Sequence, residues 1–423
     1  MRMSDARGSV CLPAMRVLIA TTGSDGDVRP FLALARELTR RGHEVLFTAP
    51  EPFAPAAAEL GLRFEKHGPS LLKAETEVVF ARVLAAPSPL AQLALVMEEV
   101  AKQGRISLPE LLQMVPQVDV VIYPPLLVAA AAAARACRVP HVSVQLAPVH
   151  RARNYGPTGD NLGPLVNRLM WAVAARVLRG ATDEKLNVLV RAAGLAPWTN
   201  VLMEASSSAL LDLVAVSPHV LERDPAWPAA SQVTGYWFLD REDFVPSPEL
   251  AAFVEGERPA VVGFGSMTGF DAQATTRKIL EAVRDLPRKV IIQAGWVGLG
   301  DLKLPEHVYV TSFVPHAWLF ARSACVVHHG GAGTTGAAFR AGIPQSIVWH
   351  LGDQPIWAKK ARALGVSPGF ISHKKLSSAW LRKQIDSMCS DRNMQERARV
   401  LGEQVRNENG VAVAADMIEQ SLT

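Results

Sequence analysis

Short apolar runs alternate with helical stretches along this chain, and the alternation happens twice. Residues 16–21 read as a buried strand, a polar loop covers 22–30, and Phe31, Leu32, Leu34, Ala35 and Leu38 then keep helical spacing. Gly42 closes that helix and residues 44–49 form the next strand. Runs at 118–123 and 139–145 are further strands around an alanine-rich helix at 126–136. Strands joined by helices predict a parallel sheet covered on both faces.

The middle, 151–216, is mostly helical in pattern with few strand signals. Pro246, Pro248, Gly256 and several charges mark 241–258 as a linker. The alternation restarts with a strand at 259–264, a loop at 265–269 and a helix through Val283, followed by strands at 289–293, 308–310, 325–327 and 346–349. The predicted fold is therefore α/β, with two doubly wound, Rossmann-like domains facing each other across a cleft. The expected division is a disordered leader at 1–14, an acceptor-binding domain at 15–240, the linker at 241–258, a nucleotide-sugar domain at 259–400, and C-terminal helices at 401–423 packing back on the first domain. Ligands of open α/β sheets bind beyond the carboxyl ends of the strands, so the chemistry belongs in the loops that follow them.

Composition excludes several classes. With 423 residues, 49% hydrophobic and 20% charged, the chain has material for a large core and is not globally disordered. A net charge of +4 with mixed signs gives no case for nucleic acid. Cys11, Cys137, Cys325 and Cys389 form no CxxC pair, which argues against a disulfide framework or zinc site and fits a reducing, cytoplasmic setting, with peripheral contact to a membrane left open. No apolar run is long enough to span a bilayer, and residues 1–14 lack the apolar core of a secretion signal.

Three loops carry chemistry. The first runs from His328 to Thr335 (HHGGAGTT), between a strand and a helix starting near Thr334. Glycines let a ligand approach the backbone, and a helix N-terminus presents free N–H groups and partial positive charge, which suits a diphosphate. A histidine at the strand end and Thr334 add side-chain donors; a tight turn with structural histidines is the bland alternative. The second loop, Gly352-Asp353-Gln354, sets a carboxylate beside an amide one strand away, at the reach of sugar hydroxyls. The third, 22–30, holds Asp25-Gly26-Asp27, formally a DxD metal motif. Asp27 as general base on an acceptor hydroxyl is the preferred use, and a helix cap near Val28 is an equal reading on this segment alone.

Lesser signals are Ser266, placed to touch a diphosphate, and Trp296 and the run 312–316, placed to hold a nucleobase. His141, His150 and His219 show no partner pattern and read as structural or surface residues, and Asp119 as a turn residue.

Taken together, the segments 312–316, 327–335 and 352–355 resemble the donor signature of GT-B, family 1 nucleotide-sugar glycosyltransferases, in particular the sterol glucosyltransferase-like branch that includes bacterial natural-product enzymes. Residues 23–30, 233–239 and 262–267 support the resemblance, which spans 15–366. It implies that His329 and the backbone of Gly331, Ala332, Gly333 and Thr334 hold the diphosphate, with Ser266 opposite. Asp353 and Gln354 then hold the sugar, and Val314 with its neighbours holds the base. Asp27 falls where relatives carry the general base. Metal-independent transfer with inversion follows, from UDP-glucose as the expected donor to a lipophilic acceptor of sterol, polyketide or flavonoid type. Two departures stand out: Ala337 occupies the position of an acidic ribose contact, and Ala317 follows the Pro-His pair where many relatives have Asp. A sugar-nucleotide epimerase and a non-catalytic partner of the same fold are the rival readings.

Overall fold

A computed structural model describes residues 13–69, 73–241, 243–264, 272–293 and 304–422. Most of the expected leader (1–12) lies outside them, as do Ser266 and Trp296.

The N-terminal half contains β1 (Arg16–Ala20), α1 (Asp25–Arg40), β2 (Glu44–Ala49), α2 (Ala54–Glu59), β3 (Arg63–Lys66), α3 (Lys73–Ala85), α4 (Pro89–Met114), β4 (Val120–Tyr123), α5 (Val128–Ala136), β5 (His141–Gln145), α6 (Pro164–Ala192), α7 (Val201–Ala205), β6 (Leu211–Val214) and β7 (Ser231–Val233). The seven strands are parallel in the order β3-β2-β1-β4-β5-β6-β7. Strands β1 and β4 are buried over nearly their whole length, as a parallel sheet covered on both faces requires. Alanines 129–134 of α5 are almost fully buried, so small side chains let this helix lie close on the sheet.

Strands β6 and β7 fall where sequence patterning suggested helix or no strand. Asp212 interrupts β6 with a charge, yet it is 1% exposed. Its carboxylate accepts the Ser208 N–H at 2.6 Å and the Ser231 hydroxyl at 3.3 Å, and burial pushes its pKa up to about 6. His150, which showed no partner pattern, belongs to the same buried network through Ser231 (3.1 Å) and Gln145 (2.7 Å). Asp119 does more than turn the chain: it accepts the Arg16 backbone N–H at 2.8 Å and pairs with its guanidinium at 2.6 Å.

The region 241–258 holds a helix, α8 (Pro248–Val254). Ser247 caps it by accepting the Leu250 N–H at 3.2 Å, and Pro248 sits in the first turn, where a missing N–H costs nothing. The prolines that suggested a loop thus start a helix.

The C-terminal half contains β8 (Ala260–Gly263), α9 (Ala272–Val283), β9 (Val290–Gln293), β10 (Val308–Thr311), α10 (His316–Phe320), β11 (Cys325–His328), α11 (Ala332–Ala341), β12 (Gln345–Trp349), α12 (Gln354–Ala363), β13 (Phe370–Ser372), α13 (Ser378–Ser390), α14 (Arg392–Arg406) and α15 (Gly410–Ser421). Its sheet is parallel in the order β10-β9-β8-β11-β12-β13. Both sheets thus run 3-2-1-4-5-6 in their own numbering, the doubly wound dinucleotide-binding order.

The halves share an apolar interface. Val214, Val216, Trp227 and Tyr236 pack with Phe339, Trp357, Ala361 and Leu401 in one buried cluster. Helix α14 runs unbroken through position 400 and lies on α11, whereas α15 returns to the first half. There Ala414, Ala415 and Ile418 join the core under α1, and Arg41 pairs with Asp416 and Glu419. The sulfur atoms of Cys325 and Cys389 lie 3.6 Å apart as free thiols.

Candidate active site

Each sheet reverses direction once, between β1 and β4 in the first half and between β8 and β11 in the second. Loops after strands at such switch points form the crevice of a doubly wound fold. The loop after β1 leads to Asp27, that after β11 is the histidine-glycine loop, and that after β12 carries Asp353. The predicted residues therefore converge from three strand ends.

The two adjacent histidines have different tasks. His328 is fully buried; its Nδ1 accepts the Gly330 N–H at 3.0 Å and its Nε2 lies 2.8 Å from the Gln345 Oε1. Because Nδ1 accepts, Nε2 must carry the proton and donate, which fixes a neutral tautomer. This ring is a strut that holds the loop. The Nδ1 of His329 is buried without a partner, and burial, then the neighbouring His328 and His316, lower its pKa to about 3. The imidazole is therefore neutral near pH 7, with one ring nitrogen a donor and the other an acceptor.

Gly330 and Gly331 are required by contact. Gly330 has φ +90°, and a Cβ there would meet Ile347 Cγ2 at 2.6 Å. A Cβ on Gly331 would lie 2.5 Å from His329 Nε2, so the imidazole rests directly against the N-cap of α11. That helix begins at Ala332, two residues before the expected start, because Gly331 already has extended N-cap geometry. The N–H groups of Ala332, Gly333 and Thr334 fall in its first turn, where no intrahelical carbonyl is available. The hydroxyl bound inside the loop is that of Thr335, to the Gly331 carbonyl at 2.9 Å; Thr334 is partly exposed.

Asp353 stands at the N-cap position of α12 without a side-chain capping bond and accepts the Trp357 indole N–H at 2.6 Å. Burial, then the charge of Asp27, raises its pKa to about 6 against that hydrogen bond. Gln354 is 5% exposed, and its Oε1 accepts the backbone N–H groups of His350 (2.7 Å) and Leu351 (3.2 Å). Its carbonyl end is thus committed to shaping the loop, and its amide nitrogen is the end left for a ligand.

Asp27 is the third residue of α1, which starts at Asp25 with Ser24 as cap. Its Oδ2 accepts the Ser24 N–H and the Ser24 hydroxyl, both at 2.8 Å, in a capping box. The residue is exposed at the head of α1, yet protein packed around its carboxyl desolvates it. That enclosure pushes its pKa up, opposed by the two Ser24 bonds. Capping and a place in the cleft coexist in one carboxylate.

Val314 is 2% exposed in the core below the cleft, and its carbonyl accepts the Gln293 amide N–H at 3.1 Å. His316 stacks on Phe320 at 4.7 Å, and burial lowers its pKa to about 4, with Arg29 of α1 adding to the shift. His350, stacked 4.6 Å from His373, is driven to about 3 by burial and by its histidine neighbours, His329 among them. Sequence reading missed His350; its place directly after a strand end and before Gly352-Asp353 was the available signal.

Comparison with known proteins agrees with this fold. Residues 17–140 match the glycosyltransferase family 28 N-terminal domain, and 277–419 match the erythromycin biosynthesis protein CIII-like C-terminal domain. The chain is 32% identical to the O-mycaminosyltylonolide 6-deoxyallosyltransferase of Streptomyces fradiae, over 96% of its own length and 97% of that protein. The chain belongs to the GT-B glycosyltransferases. It is also 30% identical to a sterol 3-beta-glucosyltransferase of Arabidopsis thaliana, covering 95% of this chain but 65% of that protein. Of the Komagataella phaffii sterol 3-beta-glucosyltransferase it spans 34%. Among solved structures, the glycosyltransferase of kitacinnamycin superposes with a TM-score of 0.75 at 21% identity, over 97% of this chain and all of that one. The glycosyltransferase VinC in complex with dTDP gives 0.71 at 19% identity, over 96% and 99%. These structures share the fold.

In this glycosyltransferase the connection between halves is gripped from both sides. Arg29 of α1 donates to the Leu239 carbonyl at 2.8 Å. Arg340 of α11 pairs with Asp240 through two bonds, at 2.6 and 2.9 Å, and its guanidinium lies 3.9 Å from the Phe238 ring centre. Between them, the helices that begin at the Asp27 loop and at the histidine-glycine loop therefore hold three consecutive residues, Phe238, Leu239 and Asp240. At the other side of the cleft, Lys359 of α12 binds Asp160 (2.5 Å) and the Thr158 carbonyl (2.8 Å).

Proposed function

We propose that the chain transfers a hexose from a UDP-sugar, UDP-glucose foremost, to a hydroxyl of a lipophilic small molecule, with inversion and without a metal ion. One observation carries the reading: Asp27, from one half, lies close enough to Asp353, from the other, to raise its pKa, and α1 packs on α11, whose first turn has no side-chain cap. Asp27 takes the proton of the acceptor hydroxyl as its oxygen forms a bond to the anomeric carbon. The bond from that carbon to the diphosphate breaks, and the leaving group keeps the electron pair. A base on one face and an anion grip on the other fit a single displacement, and the leaving diphosphate needs no proton. Ala332, Gly333 and Thr334 give backbone N–H groups to the developing charge, His329 gives its ring N–H, and Ser266 is the expected contact from the other side. Asp353 and the amide nitrogen of Gln354 take the sugar hydroxyls. Val314 and Trp296 take the base, and ribose is held without an acid because Ala337 stands where one is expected.

Metal independence is supported by the state of the Asp25-Gly26-Asp27 motif: Oδ2 of Asp27 is already bound by Ser24. A lipophilic acceptor is supported by the sterol and macrolide substrates named for the relatives. A cytoplasmic location, in contact with a membrane surface, completes the reading. The test is a panel of UDP- and dTDP-sugars incubated with mixed sterol, polyketide and flavonoid alcohols in excess chelator, read by mass spectrometry. A hexose adduct formed from UDP-glucose is expected. Adducts only from dTDP-sugars would replace the donor, and strict metal dependence would return the DxD motif to a metal role.

A further inference from the structure

Helix α6 has two apolar faces, and only one of them is covered. On the inner side Trp171, Ala175 and Leu186 are buried. On the outer side Leu165, Val166, Leu169, Val173 and Val177 remain between 43 and 83% exposed. At helical spacing these five fall within an arc of about 120°, along roughly 18 Å of helix. Exposed apolar surface of this continuity marks an interaction site.

Charge identifies the occupant. From Asn161 to Thr182 the sequence contains three arginines, Arg168, Arg176 and Arg179, and no acidic residue. All three are exposed, Arg168 and Arg179 beside the stripe and Arg176 within its arc, and among the described residues none forms an ion pair. The next acid, Asp183, is committed to the N–H groups of Asn200 and Val201, at 2.7 and 2.9 Å. Leucine and valine edged by free guanidinium groups complement acyl chains edged by lipid phosphates. A second copy of this chain fits worse: a two-fold contact through the stripe would crowd the arginines of both copies with no carboxylate from either α6. Among the described residues no helix is long and apolar enough to cross a membrane.

Position gives the surface a purpose. The segment before α6 is fixed to it, Asn167 donating to the Arg153 carbonyl at 2.9 Å and Trp171 to the Tyr155 carbonyl at 2.7 Å. The same segment reaches α12 through Asp160 and Lys359, one and a half turns from Asp353. The exposed end of α6 therefore starts at the mouth of the cleft. We propose that α6 docks on an anionic bilayer through this stripe and its arginines, so that an acceptor dissolved in the membrane meets the cleft mouth. The docking stands on the helix alone; the delivery rests on the lipophilic acceptor of the proposed function.

The test is co-sedimentation of the full chain with vesicles of neutral phosphatidylcholine, and of phosphatidylcholine with one-third phosphatidylserine. Wild type should bind the anionic vesicles far better than the neutral ones and release in high salt. Replacing the three arginines (R168Q, R176Q, R179Q) should weaken binding roughly a hundredfold, about fivefold per cation. The triple variant L165S, L169S, V173S should abolish it, with unchanged circular dichroism for both. Three results would overturn the proposal: no binding of wild type to anionic vesicles, variants that bind as well as wild type, or a stripe variant that dissociates a dimer while vesicle binding persists. Sugar transfer to a water-soluble alcohol, measured separately, reports on the proposed function without the membrane, so the two fail independently.

Discussion

Asp27 of α1 and Asp353 at the head of α12 belong to opposite halves of the chain, yet the charge of Asp27 helps hold the Asp353 carboxyl near pH 6. Two carboxylates brought this close resist joint ionisation, and the two Ser24 hydrogen bonds on the Asp27 Oδ2 favour its charged form. In the proposed roles one removes a proton and the other receives sugar hydroxyls. Both need the charged form.

Donor binding should therefore weaken as pH falls through about 6, because protonated Asp353 loses acceptor capacity for sugar hydroxyls. Removing the Asp27 charge lets Asp353 ionise more easily, so D27N should move that midpoint to lower pH. Calorimetric titration of the nucleotide-sugar across pH reads this directly; an unmoved midpoint would mean the two carboxyls do not interact.

The adjacent histidines should separate cleanly. H329A removes the imidazole that rests at the N-cap of α11 and should weaken donor binding by roughly tenfold or more, with the melting temperature nearly unchanged. H328L leaves Gln345 and the Gly330 N–H without their partner and should cost about 2 kcal/mol of stability. Thermal melts beside donor titrations distinguish the two.

Gly331→Ala should behave like a site variant and Gly330→Ala like a folding variant. The first drives a methyl into the His329 ring and should weaken donor binding. The second forces φ +90° on an alanine against Ile347, which costs at least about 1 kcal/mol of stability. The expected signature is a lower melting temperature for G330A alone.

How far the sequence led can be argued from these residues. The strand–loop–helix order and the HHGGAGTT string placed the donor loop, because apolar runs and glycines are local signals. The family resemblance named His329 for the diphosphate, but the strut role of His328 was not legible, since it depends on Gln345, seventeen residues away in sequence. Strands β6 and β7 were missed because buried Asp212 and Ser231 break the apolar pattern and are satisfied only by tertiary partners. Helix α8 was missed because Pro248 reads as a breaker unless its first-turn position is known.

Loosening the grip on the linker should impair transfer without touching the cleft. R340Q removes two bonds to Asp240 and the contact with Phe238, leaving the halves free to misalign. Donor affinity should hold within about twofold while kcat falls several-fold and donor hydrolysis rises relative to transfer, since catalysis depends on alignment and exclusion of water. Product and free sugar measured in one reaction give that ratio.

The most direct measurement is the pair of values for Asp27→Asn: the rate of sugar transfer and the affinity for the nucleotide-sugar. A base that acts only on the acceptor predicts a loss of roughly 100- to 10,000-fold in transfer with donor affinity within a few-fold of wild type at neutral pH. Full transfer activity in this variant would contradict the account, whatever the donor affinity.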